Sequence, residues 1–283
     1  MQRIFKRVQS PEGVSPGQTA TVKLAIGVAY HDLMLVTNMD LAHMTEIRVI
    51  ANNKTIHRYS AIERDMKNQF YGEKAFAKVN GKGNLLIPFD RLNMNTRAME
   101  EVTAIHTGVP YQSGEVIRSF YVEIDIADAA TSPTLDVYAT TSAAQNGTVS
   151  RIKHETKHTR SSAGAGELEL SDLPFNQPTA QAIQSVFFVP KAPGTGDPVA
   201  ISKMTVERDL YKVFERPEEL NRFVQDNGER KPQANVHAID WTENGYGGNA
   251  LALNGFADYR YRLEVAGEAQ ITVLSEYLGI LGE

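Results

Sequence analysis

Short segments in which apolar and polar residues alternate run through this chain, and they limit its fold more than any other feature. A period of two places every second side chain on the same face of a β-strand, so one face of each segment is apolar. Turn-forming sequences rich in glycine, proline and asparagine, such as SPEGVSPGQ and NGKGN, separate the segments. This pattern predicts an all-β sandwich or barrel and excludes a βαβ fold. The clearest alternating segments are residues 21–26, 120–126, 135–138, 166–170 and 270–274.

The order of the apolar segments recurs in the second half of the chain. The shift that aligns the halves decreases toward the C-terminus, which implies shorter loops in the second copy. Ordered recurrence of this kind predicts a duplicated β-domain, with the first copy at 1–142, the second at 143–283 and the joint near 143–150. The aligned pairs are Leu33 with Phe187, Ile47 with Ile201, Met66 with Leu220, Ile87 with Ile239, Phe89 with Trp241, Val122 with Leu263 and Val137 with Val273.

Two short helices are predicted at equivalent places in the two copies. Ser60 and Glu63 form a capping box at the start of the first helix, and Gly228 ends the second. Each helix carries an apolar stripe of the kind that packs a helix on a core. The stripes are Ile62, Met66 and Phe70 in the first helix, and Leu220, Phe223 and Val224 in the second, which begins near Pro217.

The predicted fold is therefore all-β, with two tandem eight-stranded jelly rolls and a short helix in each. The chain has 283 residues, of which 42% are hydrophobic, enough for two domains with cores of their own. A jelly roll is a scaffold that supports many activities, so the fold class does not itself specify a function.

Several longer sequences resemble the double jelly-roll major capsid proteins of tailless icosahedral phages with an internal membrane, most closely the corticovirus type. In the first half these are VSPGQTATVKLAIGVAYHDL and EIDIADAATSPTLDVYA. In the second half they are GELELSDLP, MTVERDLYKVFERPEELNRFVQDNG and ITVLSEYLGIL. Together they cover nearly the whole chain. None is diagnostic alone, so the resemblance depends on their order, the chain length and the duplication.

The resemblance implies a structural function in the virion. Proteins of this family form homotrimers whose six barrels make a pseudo-hexagonal block, and the blocks tile an icosahedral shell around the membrane. The barrels stand upright, with the chain termini toward the membrane. The implied partners are further copies of the chain, penton or vertex proteins, membrane-associated virion proteins and the lipid surface. The resemblance implies no enzymatic activity and no cofactor.

Composition excludes several other functions. A net charge of −5 gives no global attraction to nucleic acid, and the absence of cysteine removes disulfides, thiolate metal sites and cysteine nucleophiles. The N-terminal sequence MQRIFKRVQSPEG lacks the apolar core of a secretory signal, and no apolar stretch is long enough to span a membrane as a helix. No Walker A loop, G-x-S-x-G or G-x-G-x-x-G motif is present.

The sequence HETKH at 154–158 matches the zinc-peptidase motif H-E-x-x-H. That motif needs a helix, whereas Ile152, His154, Thr156 and His158 alternate as in a strand. In a strand the two histidines lie about 13 Å apart and cannot share one zinc ion. Lys153, Lys157 and Arg160 also oppose a cation. We therefore interpret HETKH as a solvated basic strand or linker. The other histidines, at 31, 43, 57, 106 and 237, lack ligand spacing and are interpreted as surface or partly buried polar residues.

Three sets of residues remain as candidate sites. Glu123, Asp125 and Asp128 lie near a strand end, where carboxylates and carbonyls can hold a structural calcium ion, although solvated loop acids are the alternative. The basic cluster Arg3, Lys6 and Arg7 is a candidate for contact with anionic headgroups, the alternative being a frayed terminus. Aromatic residues beside turns are candidates for the trimer interface, or for packing inside their own barrel. They are Tyr71, Tyr111, Tyr246, Phe256 and Tyr259.

Two other classes of function compete with the capsid protein. A carbohydrate-binding jelly-roll module requires an aromatic platform or a calcium site in a loop, but the single tryptophan, Trp241, aligns with Phe89 and is predicted to lie in the core. A metallohydrolase depends on HETKH alone and predicts stoichiometric zinc.

Overall fold

The computed structural model describes residues 2–146, 151–173 and 180–281. The chain forms two compact units. Unit 1 comprises Met1–Thr156 with Gly279–Glu283, and unit 2 comprises Lys157–Leu278. The division lies inside a strand and later than the predicted boundary at 142. Part of the predicted joint, 147–150, lies outside the described residues, so that boundary stays a prediction.

Unit 1 contains two β-sheets. One has the strand order β1-β10-β3-β7-β6, with β8 also paired to β3, and the other includes β5-β4-β9-β2 in that order. The strands are β1 Ile4–Arg7, β2 Thr19–Lys23, β3 Val28–Thr37, β4 Met44–Ala51, β5 Lys54–Tyr59, β6 Lys78–Val79, β7 Lys82–Pro88, β8 Ile105–His106, β9 Phe120–Ile126, β10 Leu135–Ala143 and the first part of β11 Ile152–Ser162. The helices are α1 Ala61–Phe70 and α2 Arg97–Glu101, with a 3-10 turn at Leu41–His43.

Alternation decides which side chains enter the core of unit 1. In β9, Phe120, Val122, Ile124 and Ile126 are buried while the residues between them are partly exposed. These side chains join a single apolar cluster with residues such as Leu33, Leu35 and Ile87 of the facing sheet. The period-two prediction is confirmed here, because one face of an antiparallel sheet packs on the core while the other meets solvent.

Unit 2, like unit 1, consists mainly of antiparallel strands in two sheets. Four strands run in the order β12-β18-β14-β15, and a second sheet includes β16-β13-β19, with β17 also paired to β13. Apolar residues such as Phe188, Met204 and Leu263 form its core. The elements are β12 Gly166–Leu170, β13 Ala180–Lys191, β14 Ile201–Arg208, β15 Tyr211–Pro217, α3 Glu218–Gln225, β16 His237–Asp240, a 3-10 turn at Gly247–Asn249, β17 Leu251–Ala252, β18 Tyr259–Val265 and β19 Ala269–Gly279.

The first predicted helix is present, but its buried face is only partly the predicted one, since Phe70 of the predicted stripe is buried and Met66 is half-buried. The capping box is confirmed, since Ser60 and Glu63 exchange side-chain and backbone hydrogen bonds at the start of α1. The stripe is wrong at Ile62, which is 54% exposed, while Arg64 and Lys67 are almost completely buried. The cause is an acidic partner inside the unit, the carboxylate of Glu155, which lies against both cations.

In the second predicted helix, α3, the predicted apolar face is exposed and the polar face is buried. Leu220 is 50% exposed and Phe223 is 80% exposed, whereas Asn221 and Gln225 are buried. Both amide side chains donate to the backbone carbonyl of Ala238, at 2.7 and 2.9 Å. A buried carbonyl needs donors, and this requirement turns the polar face of α3 inward. Within the described residues, no helix is long and apolar enough to cross a membrane.

Candidate functional site

The HETKH sequence lies in the extended strand β11, as the alternation predicts. The interpretation as a solvated strand is wrong, because Lys153 and Glu155 are 3% and 2% exposed. His154 uses Nε2 to contact the backbone oxygen of Ile280, at 3.1 Å. Among residues 2–146, 151–173 and 180–281, no group of three or more histidine or acidic side chains is arranged to hold a metal ion.

Glu155 is instead the acidic centre of a buried ionic cluster in unit 1. Its carboxylate accepts two hydrogen bonds of 2.9 Å from Nη1 of Arg64, and it also accepts from Nζ of Lys67. Nζ of Lys153 lies 3.3 Å away and Nδ1 of His57 lies 4.0 Å away. Burial opposes ionisation of Glu155, but the three cations outweigh it and hold its pKa well below the usual range. The glutamate therefore neutralises part of an otherwise uncompensated positive charge.

His57 makes the stability of this cluster depend on pH. Burial lowers the pKa of His57 to about 3, and its Nε2 lies 2.9 Å from the backbone oxygen of Lys153. Between about pH 6.5 and the lowered pKa of His57, the histidine of the unfolded chain binds a proton and the histidine of the folded chain does not. We expect the free energy of unfolding of unit 1 to fall as the pH is lowered below about 6.5, by about 2–3 kcal/mol at pH 4.5. Urea unfolding at several pH values measures this slope.

The variant His57→Gln, which keeps a donor toward Lys153, is expected to lose most of this slope. His106 and His154, whose pKa values burial also lowers, supply the remainder in both proteins. His43→Gln is the matched control and is expected to retain the full slope. An unchanged slope in His57→Gln would contradict the assignment. Below about pH 4.5 the lowered pKa of Glu155 adds a loss in the same direction, since stability from an ionised carboxylate disappears as it protonates.

The predicted basic cluster at the N-terminus divides into two kinds of residue. Nη2 of Arg3 donates to Asp90 and to Glu101, both at 2.7 Å, and Asp90 also lies 3.0 Å from Nδ1 of His31. Nε2 of His31 is 2.9 Å from Oγ of Ser142, which completes an Asp-His-Ser chain in the order found in serine hydrolases. All three members of the chain are under 10% exposed. The two hydrogen bonds to Asp90 and Glu101 hold the side chain of Arg3 against unit 1, so Arg3 is not a free surface charge.

The other two basic residues of the cluster remain at the surface. Lys6 is exposed and lines a groove with Arg7 and Lys23. Nη2 of Arg7 lies 2.5 Å from Oδ1 of Asp136, on the opposite side of strand β1 from Lys6. Of the three membrane-facing candidates, Lys6 is thus the most available.

Arg48 occupies the carboxylates that were candidates for calcium. Its guanidinium donates to both oxygens of Asp125, at 2.6 and 2.9 Å, and to Glu123 at 3.1 Å. The pKa of Asp125 is lowered, first of all by these hydrogen bonds. Asp128 is exposed and lies beside Gly17. The structure therefore does not support a calcium site at these residues, because a cation there would have to displace the arginine.

The structure buries three of the five aromatic residues proposed for an interface. Tyr71, Tyr111 and Tyr259 are at most 5% exposed. The hydroxyl of Tyr111 accepts from the backbone nitrogen of His106, and the hydroxyl of Tyr259 donates to Tyr261. A ring that packs inside its own unit is unavailable to a neighbouring subunit. For these three residues the alternative prediction, packing inside their own barrel, therefore agrees with the structure.

Two of the proposed aromatics are less enclosed. Phe256 is half-buried against the core of unit 2, with the guanidinium of Arg208 over its ring. Tyr246 is 54% exposed, and its interface role stays a prediction. Trp241 was predicted to lie in the core; it is half-buried and packs edge-on against Phe214 beside the core of unit 2, so it does not form an exposed carbohydrate platform.

Sequence reasoning missed the apolar residues that the fold leaves at the surface. Besides the stripe of α3, Leu210 and Tyr211 are 83% and 78% exposed at the turn between β14 and β15. Ile4 and Phe5 of β1 are 55% and 61% exposed. The available signal was the pair Asn221 and Gln225, spaced by four residues on the side of α3 away from its stripe, but a polar pair of this kind is usually the solvated face.

Comparison with known families agrees with the fold. The model of the viral coat protein P2 N-terminal domain matches residues 5–142, and that of the viral coat protein P2 C-terminal domain matches residues 152–281. No curated protein sequence matches the chain significantly.

Solved structures share the whole fold. The major capsid protein P2 of bacteriophage PM2 is 19% identical, with a TM-score of 0.83 over 100% of this chain and 99% of that chain. The structure of Sulfolobus turreted icosahedral virus is similar at a TM-score of 0.67 and 9% identity, over 99% and 92% of the two chains. The PBCV-1 virus capsid gives 0.67 and 8%, over 98% and 93%. These similarities confirm the predicted double jelly-roll fold. With both domains present in order, the chain belongs to the viral coat protein P2 family, a family of structural proteins of the virion capsid shell.

Proposed function

We propose that this coat protein is the major subunit of an icosahedral capsid that encloses a membrane, and that it assembles as a homotrimer. The observation that carries the proposal is the presence of both P2 domains over nearly the full chain, together with full-length similarity to the major capsid protein of bacteriophage PM2. Three subunits with two barrels each supply six similar barrels, which suits a pseudo-hexagonal block. Neighbouring trimers and vertex proteins would be its partners in the shell.

The N-terminal strand is the proposed point of contact with lipid. Lys6 is exposed and uses no acidic partner among the described ion pairs, so it is available to anionic headgroups. A basic residue near such a surface contributes about 1 kcal/mol, which makes this a peripheral contact. Arg3 is held by Asp90 and Glu101 and would contribute less.

Native mass spectrometry of the purified protein, with and without a chelator, tests the trimer. We expect a species of three times 31.3 kDa in both conditions, since Arg48 already neutralises the acidic candidates for calcium. A strict monomer at concentrations well above micromolar would contradict the proposed function. Dissociation by the chelator would show that a divalent cation holds the trimer together and would reopen the acidic candidates.

A further inference from the structure

Five Asn-Gly pairs occur in the chain, and each can undergo the same spontaneous reaction. The backbone nitrogen of the glycine attacks Cγ of the asparagine side chain, ammonia leaves, and a cyclic succinimide forms. Water then opens the ring at either carbonyl and leaves aspartate or isoaspartate. Glycine favours the attack because it has no Cβ to hinder the approach. The pairs begin at Asn80, Asn146, Asn227, Asn244 and Asn254.

The fold decides which of these pairs can reach the geometry of the ring. The asparagine side chain has to turn toward the next backbone nitrogen, so hydrogen bonds that fix either group oppose the reaction. A turn that fixes the peptide plane between the two residues opposes it as well. The structure describes both residues of four pairs, since Gly147 of the pair that begins at Asn146 lies outside the described residues.

Three hydrogen bonds hold the side chain of Asn227. Its Oδ1 accepts from the backbone nitrogens of Glu229 and Arg230, both at 3.0 Å, and its Nδ2 donates to the backbone oxygen of Glu243 at 2.7 Å. Asn227 is exposed, so solvent access alone does not make it reactive. The amide turns toward Gly228 only when these hydrogen bonds break, and each of them stabilises the resting conformation.

The Asn244–Gly245 pair is restrained at both reacting groups. Oδ1 of Asn244 accepts from the backbone nitrogen of Tyr246 at 3.1 Å and from Nδ2 of Asn249 at 3.3 Å. The attacking nitrogen, that of Gly245, donates to the backbone oxygen of Thr242 at 2.9 Å, and Gly245 is buried. Attack at this pair therefore requires the loop to open first.

Asn80 and Gly81 are the two central residues of the hairpin turn between β6 and β7. Their φ angles of 53° and 79° are both positive, and Val79 pairs with Lys82 across the turn, as in a type I′ turn. Formation of the ring requires the peptide plane between Asn80 and Gly81 to rotate, which breaks this turn. The hairpin therefore slows the reaction at Asn80, although both residues are exposed.

Neither kind of restraint acts on Asn254. Asn254 and Gly255 are both exposed in the loop after β17. Among the described residues, the side chain of Asn254 and the backbone nitrogen of Gly255 make no hydrogen bond within the chain. The loop is fixed on either side of the pair, where the backbone nitrogens of Leu253 and Ala257 each make a hydrogen bond of 2.9 Å. The pair can therefore rotate between two fixed points.

We propose that Asn254 is a site of spontaneous covalent modification, where the nitrogen of Gly255 displaces ammonia from Cγ and water completes the conversion to aspartate or isoaspartate. The product carries one more negative charge than the original subunit. Isoaspartate also adds one atom to the backbone between the two fixed points of the loop, next to Phe256, whose ring packs against the core of unit 2. The inference concerns the chemistry of the folded subunit and does not depend on the proposed function.

Incubation of the folded protein at mildly alkaline pH, in water labelled with heavy oxygen, tests the proposal. Peptide mass spectrometry detects each product by the oxygen that it takes from the solvent, and chymotryptic cleavage after Tyr246 separates Asn244 from Asn254. We expect Asn254 to react about tenfold or more faster than Asn227 and Asn244, where hydrogen bonds have to break first. Asn80 is expected to react at an intermediate rate.

The same incubation in urea is the control for the intrinsic reactivity of each pair. We expect the four sites to react at similar rates in the unfolded chain, because glycine follows every one of them. In the variant Asn254→Gln, which keeps an exposed amide but needs a larger ring, residue 254 is expected to stay unmodified while the rates at the other sites are unchanged. A folded protein in which another of the four pairs reacts first, or in which all four react as similarly as in urea, would overturn the proposal.

Discussion

Replacement of Glu155 by glutamine is expected to lower the free energy of unfolding of unit 1 by about 3–5 kcal/mol. The substitution keeps the size of the side chain but removes the negative charge that Arg64, Lys67 and Lys153 share. Breaking a buried ion pair costs much more than the pair itself contributes, because the remaining cations stay out of water. Urea unfolding followed by hydrogen exchange across unit 1 measures the loss.

Glu12→Gln is the matched control for this variant. Glu12 forms an ion pair with Lys23, but both side chains are more than half exposed, and such pairs contribute at most about 1 kcal/mol. We expect unfolding of the control to be nearly unchanged. Equal effects in the two variants would mean that the cluster around Glu155 is hydrated in solution and that the inverted packing of α1 has another cause.

In unit 2, Asp240→Asn is expected to have an effect of similar size, about 3–5 kcal/mol. The side chains of Asp240 and Arg230 are both fully buried, and Oδ2 of Asp240 lies 2.6 Å from Nε of Arg230. Oδ1 accepts from the backbone nitrogen and the hydroxyl of Thr242, each at 2.8 Å. Asparagine can keep contacts with Thr242 but leaves the arginine charge buried without its carboxylate, so most of the loss should come from Arg230.

Hydrogen exchange distinguishes this second effect from the first, since protection should fall in unit 2. Asp172→Asn is the control, because Asp172 pairs with Arg160 while its side chain is 67% exposed. We expect the control to change stability by less than about 1 kcal/mol. A small effect of Asp240→Asn would contradict the assignment of Arg230 and Asp240 as a buried ion pair that stabilises the loop after β16.

Local sequence patterns correctly predicted where strands and helices form, but they did not predict which face of each helix is buried. The alternation in β9 and the capping box of α1 depend on residues a few positions apart, and both are present. The predicted faces of α1 and α3 depend on what lies beneath each helix. For α1 this is Glu155, which belongs to a strand far along the chain, and for α3 it is the carbonyl of Ala238. Periodicity carries no information about such partners.

The candidate sites differ from their predictions for the same reason, because each depends on residues from distant parts of the chain. Asp125 was correctly placed near a strand end and Glu123 lies in the middle of β9, but Arg48 reaches both from the neighbouring strand β4. The turn aromatics were chosen because turns are usually exposed, whereas Tyr71 and Tyr259 fold back into their own units. Glu155 lay inside a motif known from zinc enzymes, and its role as the centre of a cation cluster required two basic residues from α1.

The sequence by itself determined the strands and the duplication, because strand alternation and repeat order are properties of nearby residues and of their succession. Membership of a capsid-protein class was indicated separately, by the resemblance of longer sequences spread over the chain to those of a known family. Only the tertiary structure decided which faces are buried and which are left for other molecules. Burial depends on the partners that folding brings together, and a buried carboxylate or carbonyl has to be paired whatever the local hydropathy. That requirement turned the charged face of α1 and the amide face of α3 inward, and left apolar side chains of both helices on the surface of the subunit.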